Sequence, residues 1–216
     1  KNKIKFMPNW AEDIFTSCKE LNPVRKDYNI PDGFIIMFAG NLGEAQDLEA
    51  VLKAAELIKE NHSIQWVFVG DGRKYNWLKA TIDEKKLSKT VTLLGRFPTE
   101  SMPYFFKLAD IMLVSLKDEY IFSLTVPGKV QSYMASSKPI LAMMNGAGSN
   151  AVLDANCGFV ANAGDYKKLC SNILKSFRLP SKNLKELGLN AYKFYSTNYS
   201  KDKIVNNFVD EINQVS

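Results

Sequence analysis

Phe34-Ile35-Ile36-Met37-Phe38-Ala39-Gly40 is an unbroken apolar run closed by a glycine. Such a run predicts a strand buried on both faces, as in a parallel sheet. The residues that follow change period. Across Asp47 to Glu60, Leu48, Val51, Leu52, Ala55 and Ile58 recur at spacings of three and four, which predicts a helix with one apolar face. Ile64 to Val69 is a second apolar run, closing on Gly70-Asp71-Gly72, and Arg73 to Lys86 again reads as helix.

The alternation continues along the chain. Val91 to Leu94, Ile111 to Ser115, Pro139 to Met143 and Gly158 to Ala161 predict further strands. Between them fall a short helix capped by Thr99 or Ser101 and running to Leu108, one with Pro127 in its first turn running to Ser136, and one over Asn150 to Ala155. Asp165 is placed to cap a last helix to Phe177. Six short strands alternating with helices predict an α/β, Rossmann-like, doubly wound parallel sheet. Lys182 to Ser196 and Ser200 to Gln214 differ: they read as two amphipathic helices with no strand between them. The chain therefore divides into a leading segment (1–33), a sheet domain (34–180) and C-terminal helices (181–216).

Composition excludes several functions. The 216 residues are 46% hydrophobic and 24% charged, ordinary for a globular domain. The net charge of +5 is mild and spread out, with no basic-aromatic run of the kind that grips nucleic acid. Such a balance suits a small anionic ligand or loose contact with an anionic membrane. Three cysteines (Cys18, Cys157, Cys170) and a single His62 cannot build the usual zinc site, and they read as reduced thiols of a cytoplasmic protein. No stretch of about 18 apolar residues is present to span a membrane. The opening Lys1-Asn2-Lys3 lacks Met and a signal peptide, and it reads as the middle of a longer chain.

In doubly wound sheets ligands bind beyond the carboxyl ends of the strands, so the turns there carry the chemistry. Gly40-Asn41-Leu42-Gly43 lets backbone approach a ligand ahead of a helix N-terminus, which favours an anion. The same glycines also suit a plain tight turn. Gly70-Asp71-Gly72-Arg73-Lys74 is a second close-approach turn, or equally a solvated helix start. Arg96 and Phe97 offer a guanidinium and a ring to a nucleobase, although Phe97 serves as well for packing. Ser123-Leu124-Thr125-Val126-Pro127-Gly128-Lys129 gathers hydroxyls, a helix start and one ammonium, suitable for a diphosphate held without a metal. There is no Asp-x-Asp metal pair, no nucleophile elbow and no P-loop. Asp118 and Glu119 form an acidic loop tip that could touch a sugar but reads first as a solvated loop.

Taken in order, these turns resemble the C-terminal, donor-binding domain of group 1 retaining glycosyltransferases of the GT-B fold. Phe6-Met7-Pro8-Asn9-Trp10 is similar to the family's entry segment, and Val67-Phe68-Val69-Gly70-Asp71-Gly72 to its V-G-D-G. Leu94 to Pro98 and Ala109 to Val114 match the next two motifs. Pro127 to Ala135 with Lys138-Pro139-Ile140 resembles P-S-K-x-x-E-Y-M-A-x-G-K-P-I. The resemblance implies a UDP-linked sugar donor and no cofactor or metal. It implies diphosphate contacts at Gly40, Asn41, Gly43, Thr125, Val126 and Lys129, and a donor border at Gly70, Asp71, Gly72 and Arg73. The base falls to Arg96 and Phe97, and the ribose to Gln131 or Ser132. It singles out no catalytic residue here. The acceptor, a glycan or lipid-linked glycan of surface polysaccharide synthesis, is left to an N-terminal domain, with peripheral attachment of the whole protein at the inner membrane face.

One departure stands out. Many relatives carry two glutamates eight residues apart at this helix, where this chain has Leu124 and Ser132. That pattern resembles the branch transferring N-acetylated or deoxy-amino sugars, L-fucosamine among them. Its loss also leaves open a non-catalytic nucleotide-sugar-binding domain. A GT-B epimerase would need a histidine and carboxylates that are not found.

Overall fold

The computed structural model describes residues 4, 7–16 and 24–215. Lys1, Phe6 and Cys18, singled out above, lie outside the described residues. Six strands are formed: β1 (Phe34–Ala39), β2 (Ile64–Val69), β3 (Val91–Gly95), β4 (Ile111–Ser115), β5 (Ile140–Met143) and β6 (Gly158–Ala161). All pair in parallel, in the order β3-β2-β1-β4-β5-β6. The chain winds outward from β1 to β3, then returns to lay β4 on the other side of β1. The switch point therefore lies between β1 and β4, where open α/β sheets place their ligands.

Strand alternation divides the core in two. Ile35, Met37, Val67, Val69, Met112, Val114, Ile140 and Ala142 point to one layer. There they meet α3 (Met102–Leu108), α5 (Gly128–Ala135) and α8 (Ser181–Asn198). Ile36, Phe38, Trp66, Phe68, Ile111, Leu113, Leu141 and Met143 point to the other. That layer holds α1 (Leu48–Leu57), α2 (Tyr75–Glu84) and α7 (Tyr166–Phe177). Each buried aliphatic or aromatic side chain contributes about 1.5–3 kcal/mol, so both faces of the continuous apolar strands are used.

Element ends depart from the sequence expectation by a few residues, for local reasons. The first helix starts at Leu48 because Asp47 takes the left-handed conformation (φ 45°) and ends a 3-10 turn over Glu44–Gln46. The turn after β1 thus does not run straight into a helix. Thr99 and Ser101 form a 3-10 turn and make no side-chain cap. Pro127 stands just before α5, with Gly128 as its first helical residue. The expected Asn150–Ala155 helix is α6 over Ala147–Asp154. A short α4 (Tyr120–Ser123) stands immediately after the Asp118–Glu119 tip. Asp165 caps α7 as expected, accepting from the Lys168 amide at 2.9 Å.

Two motif residues prove to be fasteners. Asp110 Oδ2 accepts from the Ile35 amide (2.8 Å) and pairs with Arg25 (3.3 Å), whose guanidinium also donates to Gly33 O. The Lys138 ammonium donates to Ala109 O at 2.8 Å and so closes the end of α3. The described part of the leading segment packs on the domain, with Phe15 stacked on Phe106 (5.4 Å between centroids). α8 lies on α5, where Gly188 passes so close to the Ser137 carbonyl that a Cβ has no room. α9 (Lys201–Val215) folds back on α8, leaving Val205, Phe208 and Val209 substantially exposed.

Candidate functional site

Three strand ends are stitched into one wall by backbone alone. Gly40 N–H donates to Val69 O (2.8 Å), Gly70 N–H to Gly95 O (2.7 Å) and Leu42 N–H to Asp71 O (2.8 Å). Gly70 sits against the Gly40 carbonyl with φ +138°, so no side chain is tolerated there. The turns after β1 and β2 are thus fused, and the Asn41 and Asp71 amide hydrogens are left without an acceptor among the described residues. An anion can take amides presented this way.

Above this wall lies a cleft of about 520 Å³, a size that suits a small-molecule ligand. Gly40, Asn41, Gly70, Asp71 and Gly72 form one side, Arg96 and Phe97 another, and Lys129 and Ser132 a third. These sequence-selected residues are brought together from four elements. Others are not. Gly43 lies behind Asn41, Arg73 points to solvent, and neither Thr125 nor Val126 reaches the cleft wall. Gln131 also leaves the site. Successive helical residues point about 100° apart, so with Ser132 at the cleft Gln131 is turned into the interior. There its amide donates to Asn9 O (2.9 Å) and its Oε1 has no partner among the described residues.

Lys129 dominates the electrostatics. It stands in the first turn of α5 and reaches across the end of β1. An added Cβ at Gly40 would lie only 2.8 Å from its Cε. Its ammonium sits over the Phe38 ring (3.7 Å to the centroid) and donates to Gln46 Oε1 at 2.6 Å. No carboxylate pairs with it among the described residues, and burial lowers its pKa to about 7. A cation without a counter-ion, beside open amides and at the positive end of a helix, is a site for an anion. Glu44, an acid of the same turn, is engaged by Lys74 (3.1 Å) and Lys117 (3.5 Å) instead.

Sequence reasoning missed the role of one motif residue and the presence of several others. Tyr133 lies at the floor, its hydroxyl accepting from the Ala39 amide and donating to the Ala39 carbonyl, both at 3.0 Å. It ties α5 to the end of β1. Phe15, Met102 and Phe106 add an apolar flank, and Phe97 packs on Phe105 (4.6 Å) while lining the cleft. The spacing of 94 residues between Tyr133 and Ala39 carries no local signal. Among the described residues no group of three or more His, Cys, Asp or Glu side chains is assembled as metal ligands.

A six-stranded parallel sheet with a glycine-walled cleft at its switch point, lined by Lys129 and Arg96, defines a Rossmann-like α/β domain. The chain belongs to the group 1 glycosyl transferases, whose family pattern it matches over residues 33–178. It is 33% identical over 155 residues to the probable glycosyltransferase WbjE of Pseudomonas aeruginosa, covering 69% of this chain and 37% of WbjE. It is 27% identical over 157 residues to the putative colanic acid biosynthesis glycosyl transferase WcaI of Escherichia coli, covering 69% and 34% respectively. The chain thus spans about a third of the length of these relatives. Its fold is similar to that of Anabaena HepE, solved in complex with UDP and glucose (TM-score 0.75, 16% identity, 94% of this chain and 55% of HepE).

Proposed function

We propose that this chain is the donor-binding domain of a retaining GT-B glycosyltransferase that takes a UDP-linked sugar and builds a surface polysaccharide. The observation that carries it is Lys129: an ammonium with no counter-ion among the described residues, set at the switch point beside the Asn41 and Asp71 amides. The base would lie against Phe97 and Arg96, with the diphosphate over Gly40–Asn41 and Lys129. As the glycosidic bond breaks, charge grows on the leaving diphosphate, and a fixed ammonium and amides stabilise that charge without reorganising. Ser132 is the cleft residue left to meet the ribose. The UDP in HepE supports the nucleotide, and the colanic acid named for WcaI supports the polysaccharide role. Acceptor binding, membrane contact and turnover are assigned to parts of the whole protein beyond this chain.

A second reading is favoured by one feature. Leu124 and Ser132 stand where relatives carry paired glutamates, which suits a domain that binds the donor without turning it over. Calorimetric titration of UDP, GDP and ADP, each against its nucleoside, tests the shared core of both readings. UDP should bind at submillimolar concentration. Lys129→Ala should weaken it about 10–100-fold, the loss of a charge-assisted contact, and leave uridine unchanged. No binding of any nucleotide at millimolar concentration would overturn the assignment. Joining the rest of the protein then separates the readings, because only an active enzyme releases UDP from the donor.

A further inference from the structure

We propose that Gln46 is a positioning residue for the donor diphosphate, holding the Lys129 ammonium at the switch point between β1 and β4 with a neutral oxygen that leaves its charge for the ligand. This rests on the donor reading above and adds a residue and a proton linkage to it.

Gln46 sits at the join of three elements. It ends the 3-10 turn after β1, its carbonyl accepts from the Ser115 hydroxyl at the end of β4, and its side-chain oxygen takes Lys129 Nζ from α5 at 2.6 Å. The preceding Ala45 carbonyl accepts from the Lys117 amide at 2.9 Å, pinning the turn to β4 a second time. Gln46 is therefore fixed before any ligand arrives, and it fixes Lys129 in turn. An acid at this position would form an ion pair in the same geometry and compete with the ligand. Glutamine supplies the hydrogen bond without the charge.

Among the described residues, no charged side chain is paired with Lys129. β1 offers the Phe38 ring and the bare Gly40 backbone, α5 offers Ser132 and Tyr133, and β4 reaches it only through Ser115 and Gln46. The ionisable groups across the cleft are Asp71 and Arg96. Beside Gln46, burial shifts the Asp47 carboxyl upward from its ordinary value, and Glu44 is occupied by its two lysines. Burial alone pulls Lys129 down to about 7. A bound diphosphate opposes that shift, so the complex holds more protons than the free protein. Affinity is then highest below about pH 7 and falls as pH rises through that value.

The experiment is a UDP and uridine titration of the 216-residue chain from pH 6.5 to 9.5, as wild type, Gln46→Glu and Gln46→Met. The terminal phosphate of UDP, with its second pKa near 6, is already ionised above about pH 7.5. Wild type should lose UDP affinity with a midpoint near pH 7 while uridine affinity stays flat. Gln46→Glu should bind UDP about tenfold or more weakly at pH 7, move the midpoint to higher pH, and keep uridine affinity. Gln46→Met should weaken UDP without moving the midpoint upward. If Gln46→Glu lowers UDP and uridine affinity alike, or leaves the UDP midpoint in place, Gln46 has no positioning role and the inference is overturned. Failure of wild type to bind UDP would overturn the donor reading and this inference together; binding with a flat wild-type pH profile would overturn this inference alone.

Discussion

At the residue scale, the site depends on side chains that cross from one element to another. Lys129 was legible in the sequence because hydroxyls, a Pro-Gly helix start and one ammonium converge there, a combination that suits a diphosphate. Its partner was not legible: Gln46 lies 83 residues away, in a turn chosen for its glycines. Tyr133 lies in the Pro127–Ala135 motif, but its role was hidden for the same reason, since its partner is 94 residues away. It holds both the amide and the carbonyl of Ala39, the last residue of β1. Tyr133→Phe keeps the ring and removes both bonds in a fully buried place, which should cost about 1–3 kcal/mol. For a chain of this size that lowers Tm by roughly 2–10 °C, as thermal unfolding followed by circular dichroism will show. An unchanged Tm would mean that Tyr133 does not anchor the cleft floor. Gln131 marks the opposite error. The resemblance implied a ribose contact at Gln131 or Ser132, but the helical phase that brings Ser132 to the cleft turns Gln131 inward to Asn9.

At the element scale, apolar runs and closing glycines marked all six strands in their correct places. Strands buried on both faces write themselves as continuous hydrophobic sequence, so nothing competes with the signal. Helix ends were blurred where backbone conformation, not side-chain pattern, sets the boundary, as at left-handed Asp47. The short α4 turn after Asp118–Glu119 had no periodicity to reveal it. The glycine wall was legible as a set of turns but not as a fused surface, since fusion depends on β1 and β2 lying side by side in register. Gly70→Ala tests that fusion. The new methyl meets the Gly40 carbonyl at a backbone angle that L-residues avoid, and the expected cost is at least ~2 kcal/mol. Urea unfolding measures it directly. A variant as stable as wild type would show that the two turns can part.

At the scale of the whole molecule, strand order turns a list of weak motifs into one site. Gly40, Gly70, Arg96 and Lys129 are far apart in sequence, and the order β3-β2-β1-β4 gathers them at one edge. The fold class was readable because alternating strands and helices admit few topologies. The contents of the site were partly readable: the walls came from motifs, the floor and the lysine's holder only from packing. The central claim is that this edge takes a nucleotide diphosphate. Its most direct test is amide chemical-shift mapping of the labelled 216-residue chain titrated with UDP. The largest shifts should fall at Gly40, Asn41, Gly70 to Gly72, Arg96, Phe97 and Lys129, with little change along α7 or α9. Shifts centred elsewhere, or none at millimolar UDP, would contradict it.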